Sequence, residues 1–187
     1  MIILCGPSAT GKTEIAKILK QKYNLSKVIT HTTREKRINE KDGVDYHFVT
    51  KEEFIKLKND DEFVESAEYS GNYYGSSKKE ISINKCLILV PNRVKSYNEI
   101  NDPTICIFFL EASEETRIKR MQERKDEEKN IIQRINNDRK AFENKKELAD
   151  FLIDTEGKSL DSLADQIYSL YLSKINWLIN TKRRFRN

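Results

Sequence analysis

Two groups of residues in this 187-residue chain have the types and spacing for chemistry on phosphate. The first is Gly6-Pro7-Ser8-Ala9-Thr10-Gly11-Lys12-Thr13, the pattern G-x-x-x-x-G-K-S/T, directly after the apolar run Ile2-Ile3-Leu4-Cys5. Helical spacing of Ile15, Ala16, Ile18, Leu19 and Tyr23 follows it. A strand running through such a loop into a helix turns several backbone N–H groups onto one point, at the positive end of the helix dipole. Lys12 there can follow the β- and γ-phosphates, and the Thr13 hydroxyl can hold Mg2+. The motif implies a nucleoside triphosphate, bound by Gly6, Pro7, Ser8, Ala9, Thr10, Gly11, Lys12 and Thr13.

The second group lies in residues 31–76, a polar, turn-rich and tyrosine-rich stretch with turn signals at Asp42-Gly43 and Ser70-Gly71-Asn72. Thr32-Thr33-Arg34-Glu35-Lys36-Arg37 sets two guanidinium groups three residues apart, and Tyr46 follows in Asp45-Tyr46-His47-Phe48. Arginine forks match phosphate oxygens in pairs as lysine does not, and tyrosine hydroxyls add neutral donors. Phe63-Val64-Glu65 and Gly71-Asn72-Tyr73-Tyr74-Gly75-Ser76 add a carboxylate, another tyrosine and a hydroxyl. Two carboxylate oxygens match the N1–H and 2-amino donors of guanine, a pair that adenine lacks.

The elements that must hold these groups read as an α/β fold. Ile2–Cys5, Cys86–Val90, Thr104–Leu110 and Phe151–Ile153 are short apolar runs of the kind found in buried parallel strands, with Val28–Thr30 as a shorter fifth. Helical patterns alternate with them, which predicts a parallel sheet of about five strands with helices on both faces. Ser113-Glu114-Glu115 opens one helix with the serine as N-cap, continued by Ile118 and Met121. A charged helix carries Ile131, Ile132, Ile135 and Phe142, and a last one runs from about Leu160 to Leu178. The stretch from about Arg124 to Gln133 is nearly all charged and reads as a mobile flap.

Composition narrows the classes. One third of the residues are charged and 37% are apolar, which fits a single globular domain rather than a disordered chain. No apolar run reaches the roughly 20 residues of a membrane span, and Met1 leads into a strand rather than a secretory leader. A net charge of +4 is too mild to argue for nucleic acid, and none is expected as a partner. Cys5, Cys86 and Cys106 sit in apolar runs without C-x-x-C spacing, and read as reduced core thiols of a cytoplasmic protein. His31 and His47 lack a metal-ligand partner and read as incidental. The basic end, Lys182-Arg183-Arg184-Phe185-Arg186, reads as a solvated tail.

Taken in order, Gly6–Thr13, Thr32–Arg37, Asp42–Phe48, Phe63–Glu65 and Gly71–Ser76 resemble the guanylate kinase family, over about residues 1–156; Ser70-Gly71-Asn72-Tyr73-Tyr74-Gly75-Ser76 is the most specific of the matches. The resemblance implies a P-loop nucleoside monophosphate kinase that transfers the γ-phosphoryl group of ATP to GMP with Mg2+. Its core would be about 1–30 and 77–180, its GMP-binding insert about 31–76 and its helical lid about 121–138, with the tail at 181–187. By motif position Arg34, Arg37, Tyr46 and Tyr74 would hold the GMP phosphate. Glu65 would read N1 and N2 of guanine, and Thr30 and Ser76 would sit near its O6. Lys12, Arg34, Arg124 and Arg134 would act on the transferring group, the last two as lid arginines. ATP and GMP are the implied partners; monomer and homodimer both remain open.

Three departures stand out. Ala9 replaces the family's usual third loop glycine, and Asp154 stands where an asparagine is common. Leu87-Ile88-Leu89-Val90-Pro91-Asn92 is apolar where relatives carry aspartates near the metal and GMP, and Pro91 ends the strand's pairing. That loss keeps two alternatives in view: a kinase of another small phosphorylated acceptor, and a catalytically weak nucleotide-binding module of the same fold.

Overall fold

A computed structural model describes residues 1–36, 38, 40–69, 71–89, 91–143 and 146–184. Its main sheet is five-stranded and wholly parallel: β1 (Ile2–Cys5), β2 (Ser26–Lys27), β7 (Lys85–Ile88), β8 (Cys106–Glu111) and β9 (Phe151–Asp154), in the order β2-β7-β1-β8-β9. A parallel strand is buried on both faces, so its residues feed two cores alternately. Ile2 and Leu4 pack with Ile15 and Leu19 of α1 (Lys12–Tyr23) and with Leu163, Ala164 and Ile167 of α6 (Leu160–Arg184). Met1, Ile3 and Cys5 pack on the other side with Val94 and Tyr97 of α3 (Pro91–Glu99). Cys5, Cys86 and Cys106 are free and buried, and burial pushes the Cys86 and Cys106 thiols up to about 12. They are core atoms without reactivity at neutral pH.

A second sheet rises over the C-terminal end of the first. It runs β4 (His47–Phe48), β3 (His31–Thr32), β6 (Asn72–Ser77), β5 (Phe63–Tyr69), with β3 and β4 parallel and the other pairs antiparallel. Between β4 and β5 stands α2 (Lys51–Asn59), a helix in the stretch read from sequence only as turns and short strands. Its signal was present in Thr50-Lys51-Glu52-Glu53. The Thr50 hydroxyl accepts from the Glu53 N–H at 3.1 Å, and the Glu53 carboxylate accepts from the Thr50 N–H at 2.8 Å. That reciprocal box satisfies two free donors of the first turn. Phe54 of α2 then seals against Phe63 with ring centroids 4.7 Å apart.

Other boundaries also move. The fifth strand is Ser26–Lys27 rather than Val28–Thr30, although the Val28 N–H still donates to Cys86 at 3.0 Å. The strand read as Cys86–Val90 stops at Ile88, and Pro91 opens α3, where its fixed φ and missing N–H suit a first helical position. Val90 lies outside the described residues. Ser113 caps α4 (Glu114–Glu123) as expected, its hydroxyl accepting from the Thr116 N–H at 3.2 Å. The stretch read as a flap is mostly helix, because α5 (Glu128–Ala141) begins at Glu128. Met121 of α4 buries against Ile131 and Ile135 of α5, so Ile131 anchors the end of the charged run to residues on either side of it. Of the basic tail, Phe185, Arg186 and Asn187 lie outside the described residues. His31 and His47 are opposite one another in β3 and β4 with rings 4.7 Å apart, so they pack on each other.

Candidate active site

The strand ends of the main sheet all deliver their loops to one side, the usual place for ligands in an open parallel sheet. From β1 the chain enters the glycine loop. Gly6 passes so close to β8 that a Cβ would lie 2.2 Å from the Leu110 carbonyl oxygen, and its φ of +143 belongs to glycine alone. Gly11, at φ +92, is the N-cap of α1 and supplies no side chain to cap it. The first-turn N–H groups of α1 are therefore left for an anion, at the positive end of the helix. Ala9 is held at φ +62, in the left-handed region where a methyl group costs about 1 kcal/mol or more. Its side chain packs against Met121, Ile131 and Ile135, and that burial offsets part of the strain.

Lys12 folds back over the loop. Its ammonium donates to the Gly6 carbonyl at 2.7 Å and the Pro7 carbonyl at 2.6 Å. Burial lowers its pKa to about 8, with Asp138 and Cys5 pulling the other way. Asp138 comes from α5 and binds the loop directly: it accepts from the Ser8 N–H at 2.8 Å and from the Arg117 guanidinium at 2.8 Å. Arg120 of α4 donates to the Ala9 carbonyl at 3.2 Å and to the Thr155 carbonyl at 2.8 Å. α4 and α5 are thus tied to the phosphate loop by side chains the sequence reading did not single out. No spacing rule marks them, since each partner lies at least 21 residues away along the chain.

Between α1 and the second sheet lies a cleft of about 640 Å³, whose lining includes Thr13, Thr30, Tyr46, Tyr74, Ser76 and Arg93. Five of these six are expected site residues from separate parts of the chain; Arg93 is new. The wall formed by Cys86, Leu87, Ile88 and Leu89 is apolar, as the missing aspartates foretold. Arg34 sits at the second sheet beside two of the tyrosines. Its guanidinium lies 5.5 Å from the centre of the Tyr46 ring, and Tyr46 meets Tyr74 edge to face at 6.3 Å. Glu40 binds Arg34 at 2.7 Å and raises its pKa further, so the site's cation is permanent. Arg37 lies outside the described residues.

Glu65 is placed by a β-bulge. Phe63 opposes Ser77, but one residue slips and Glu65 then opposes Ser76. A slip of one residue exchanges the faces of a strand, so Phe63 packs on Phe54 while Glu65 turns to the Ser76 side. The Ser76 hydroxyl donates to Glu65 Oε1 at 2.7 Å. Oε2 is buried and has no hydrogen-bond partner among the described residues; Arg93 Nε lies 3.2 Å away as an ion pair, but is not aligned as a hydrogen-bond donor. Burial pushes the Glu65 carboxyl up, while Ser76 and Arg93 pull it down.

Arg124 and Arg134 do not line the cleft. Both stand about half-exposed, Arg124 as the C-cap of α4 and Arg134 on α5, and share Asp126, at 2.9 and 3.1 Å. Thr13 is exposed on the cleft, and no group of three His, Cys, Asp or Glu capable of holding a metal occurs among the described residues. A lone hydroxyl beside a phosphate loop fits a hard ion that keeps most of its water and phosphate ligands, as Mg2+ does.

The guanylate kinase family model matches residues 1–170 of the chain. A guanylate kinase of Fusobacterium nucleatum is 36% identical over 152 residues, which cover 76% of this chain and 81% of that one. One from Bartonella quintana is 30% identical over 182 residues, covering 93% and 81%. Among solved structures, guanylate kinase from Anaplasma phagocytophilum aligns with a TM-score of 0.65 at 24% identity, covering 93% of this chain and 85% of that one. Shikimate kinase from Acinetobacter baumannii aligns at 0.50 and 15% identity, with 92% of each chain covered, and shares the fold.

Proposed function

The chain belongs to the guanylate kinase family, and on that premise we propose how its own residues carry the transfer of the γ-phosphoryl group from ATP to GMP. The family names an ATP:GMP phosphotransferase, and no observation favours the two alternatives kept from the sequence. The residue roles are our reading.

The triphosphate lies on the N–H groups of the glycine loop and the first turn of α1, with Lys12 leaving the Gly6 and Pro7 carbonyls to take the β- and γ-oxygens. Mg2+, when bound, neutralises charge on those oxygens, and Thr13 is the side chain that would hold it. The GMP phosphate is held by Arg34, Tyr46 and Tyr74, with Arg37 as a further candidate. Its base lies against Ser76, Thr30 and Glu65. The acceptor is already a phosphate oxygen, so no general base is required. Positioning and charge stabilisation do the chemistry. Arg124 and Arg134 would exchange Asp126 for the transferring group when α4 and α5 close over the cleft, a closure that also keeps water from taking the phosphoryl group.

The observation that carries the guanine assignment is Glu65 Oε2, a buried acceptor without a hydrogen bond, whose neighbours Ser76 and Arg93 line the same cleft as Thr13. Guanine brings its N1–H and 2-amino donors to such a carboxylate; adenine brings no such donor pair in that position. Sites built on such hydrogen bonds reject the analogue lacking them by about 10⁴-fold. The test is kcat/KM for GMP and AMP in the wild type and in Glu65→Gln. The wild type is expected to prefer GMP by about three or more orders of magnitude, and the variant to lose at least about 100-fold of that preference. An unchanged GMP:AMP ratio in Glu65→Gln would remove Glu65 from the base site.

A further inference from the structure

Arg93 has no part in the scheme above. It lies near the start of α3, behind the apolar end of β7, and lines the same cleft as Thr13 and Tyr74. Its side chain is 26% exposed, while that of its partner Glu65 is 4% exposed. The groups around Glu65 are few. From β6 comes the Ser76 hydroxyl, already spent on Oε1. From α3 come Arg93 and the buried Tyr97 phenol, whose pKa burial raises, so that it is neutral at physiological pH. Glu80, the next acid, is paired with Lys85 at 2.9 Å. The β7 wall offers Leu87, Ile88 and Leu89, none of them polar. Arg93 is thus the one cation in ion-pair contact with Glu65 among the described residues.

We propose that Arg93 is a positioning residue for guanine specificity: its ion pair fixes the buried Glu65 Oε2 behind the cleft that Arg93 and Ser76 line and keeps the carboxylate ionised, while its off-line N–H leaves that oxygen's lone pair for the base. A carboxylate this deeply buried protonates unless a cation opposes the cost of burial. Burial is the largest influence on Glu65, and Arg93 is one of only two that counter it. A protonated Glu65 would present an O–H to the N1–H and amino group of guanine, donor against donor, and recognition would fail. The proposal rests on the assignment of Glu65 to the base, and the test separates the two.

Steady-state kinetics with GMP and ATP are measured from pH 6 to 8.5 for the wild type, Arg93→Gln, Arg93→Lys, Glu65→Gln and the double variant Arg93→Gln/Glu65→Gln, with thermal melts as the check on folding. The GMP phosphate itself titrates near pH 6, but equally in every variant, so the ratio of each variant to wild type is read at each pH. Arg93→Gln is expected to raise KM for GMP about tenfold at pH 6.5, the low end of what one opposite charge contributes, and within about twofold at pH 8.5. KM for ATP stays in place. Arg93→Lys, which keeps the charge, recovers most of the loss at pH 6.5. The double variant matches Glu65→Gln, because Arg93 acts through that carboxylate. A ratio for Arg93→Gln that is constant with pH overturns the proposal, as does Arg93→Lys impaired as severely as Arg93→Gln. If Arg93→Gln does not fold, the lysine variant decides alone: a GMP KM raised tenfold at every pH refutes charge as the function. A GMP preference that survives Glu65→Gln overturns the base assignment instead, whatever the Arg93 variants do.

Discussion

Lys12 allows a sharp test, because one feature of its setting drives two measurable slopes in opposite directions. In the folded chain its pKa falls from 10.5 to about 8, chiefly through burial. In the unfolded chain the ammonium keeps its proton up to the ordinary lysine range. Between these limits the unfolded state binds more protons, so this residue makes folding more favourable as pH rises from about 8 to 10.5. Nucleotide binding runs the other way, since the triphosphate needs the cation. With a pKa near 8, about nine-tenths of the molecules carry the charge at pH 7 and about one-tenth at pH 9, so the Kd for ATP is expected to rise about tenfold across that interval. Calorimetric titration of ATP, with Mg2+ and without GMP, measures the second slope; melting of the unliganded protein measures the first. Lys12→Met should flatten both, bind ATP weakly at every pH, and lower kcat by about 10²–10³-fold while leaving the Kd for GMP within a few-fold. A wild-type ATP affinity unchanged from pH 7 to 9 would refute the claim that burial in the loop depresses this lysine. Equal losses in turnover and GMP binding would refute its place at the transferring group.

The pair Arg117–Asp138 is almost closed to solvent, and Asp138 also accepts from the Ser8 N–H. Asp138→Ala should destabilise by about 3–5 kcal/mol in urea denaturation by leaving a buried guanidinium unpaired, and Arg117→Met in the same chain should recover most of it; a double variant as unstable as the single one would show that the ion pair is not the cause. Gly6 and Gly71 differ in a way that denaturation can read. Gly6→Ala meets both a positive φ and the Leu110 carbonyl, so a loss of at least about 3 kcal/mol or insoluble protein is expected. Gly71→Ala meets only a positive φ of +75 in open space and should cost about 1 kcal/mol. Equal costs would show that backbone strain alone decides both.

What the amino-acid order determined here is what neighbouring residues can state by themselves. The strand, glycine loop and helix of residues 2–23 are contiguous, so their spacing carries the phosphate site whole. The alternation of short apolar runs with helical stripes likewise carries the five-stranded parallel sheet, because parallel strands need both faces covered. Even the helix at Lys51–Asn59 was written in its capping box, though the surrounding turn residues masked it. Tertiary structure decided the rest. Glu65 faces Ser76 only because β5 slips one residue against β6, and a bulge depends on the partner strand rather than on Phe63-Val64-Glu65 itself. Arg93 reaches Glu65 across 28 residues of sequence, and Asp138 reaches Ser8 across 130. Such pairs have no period to detect. They exist where packing removes water from two charged or polar groups at once, and that condition is set by the whole fold.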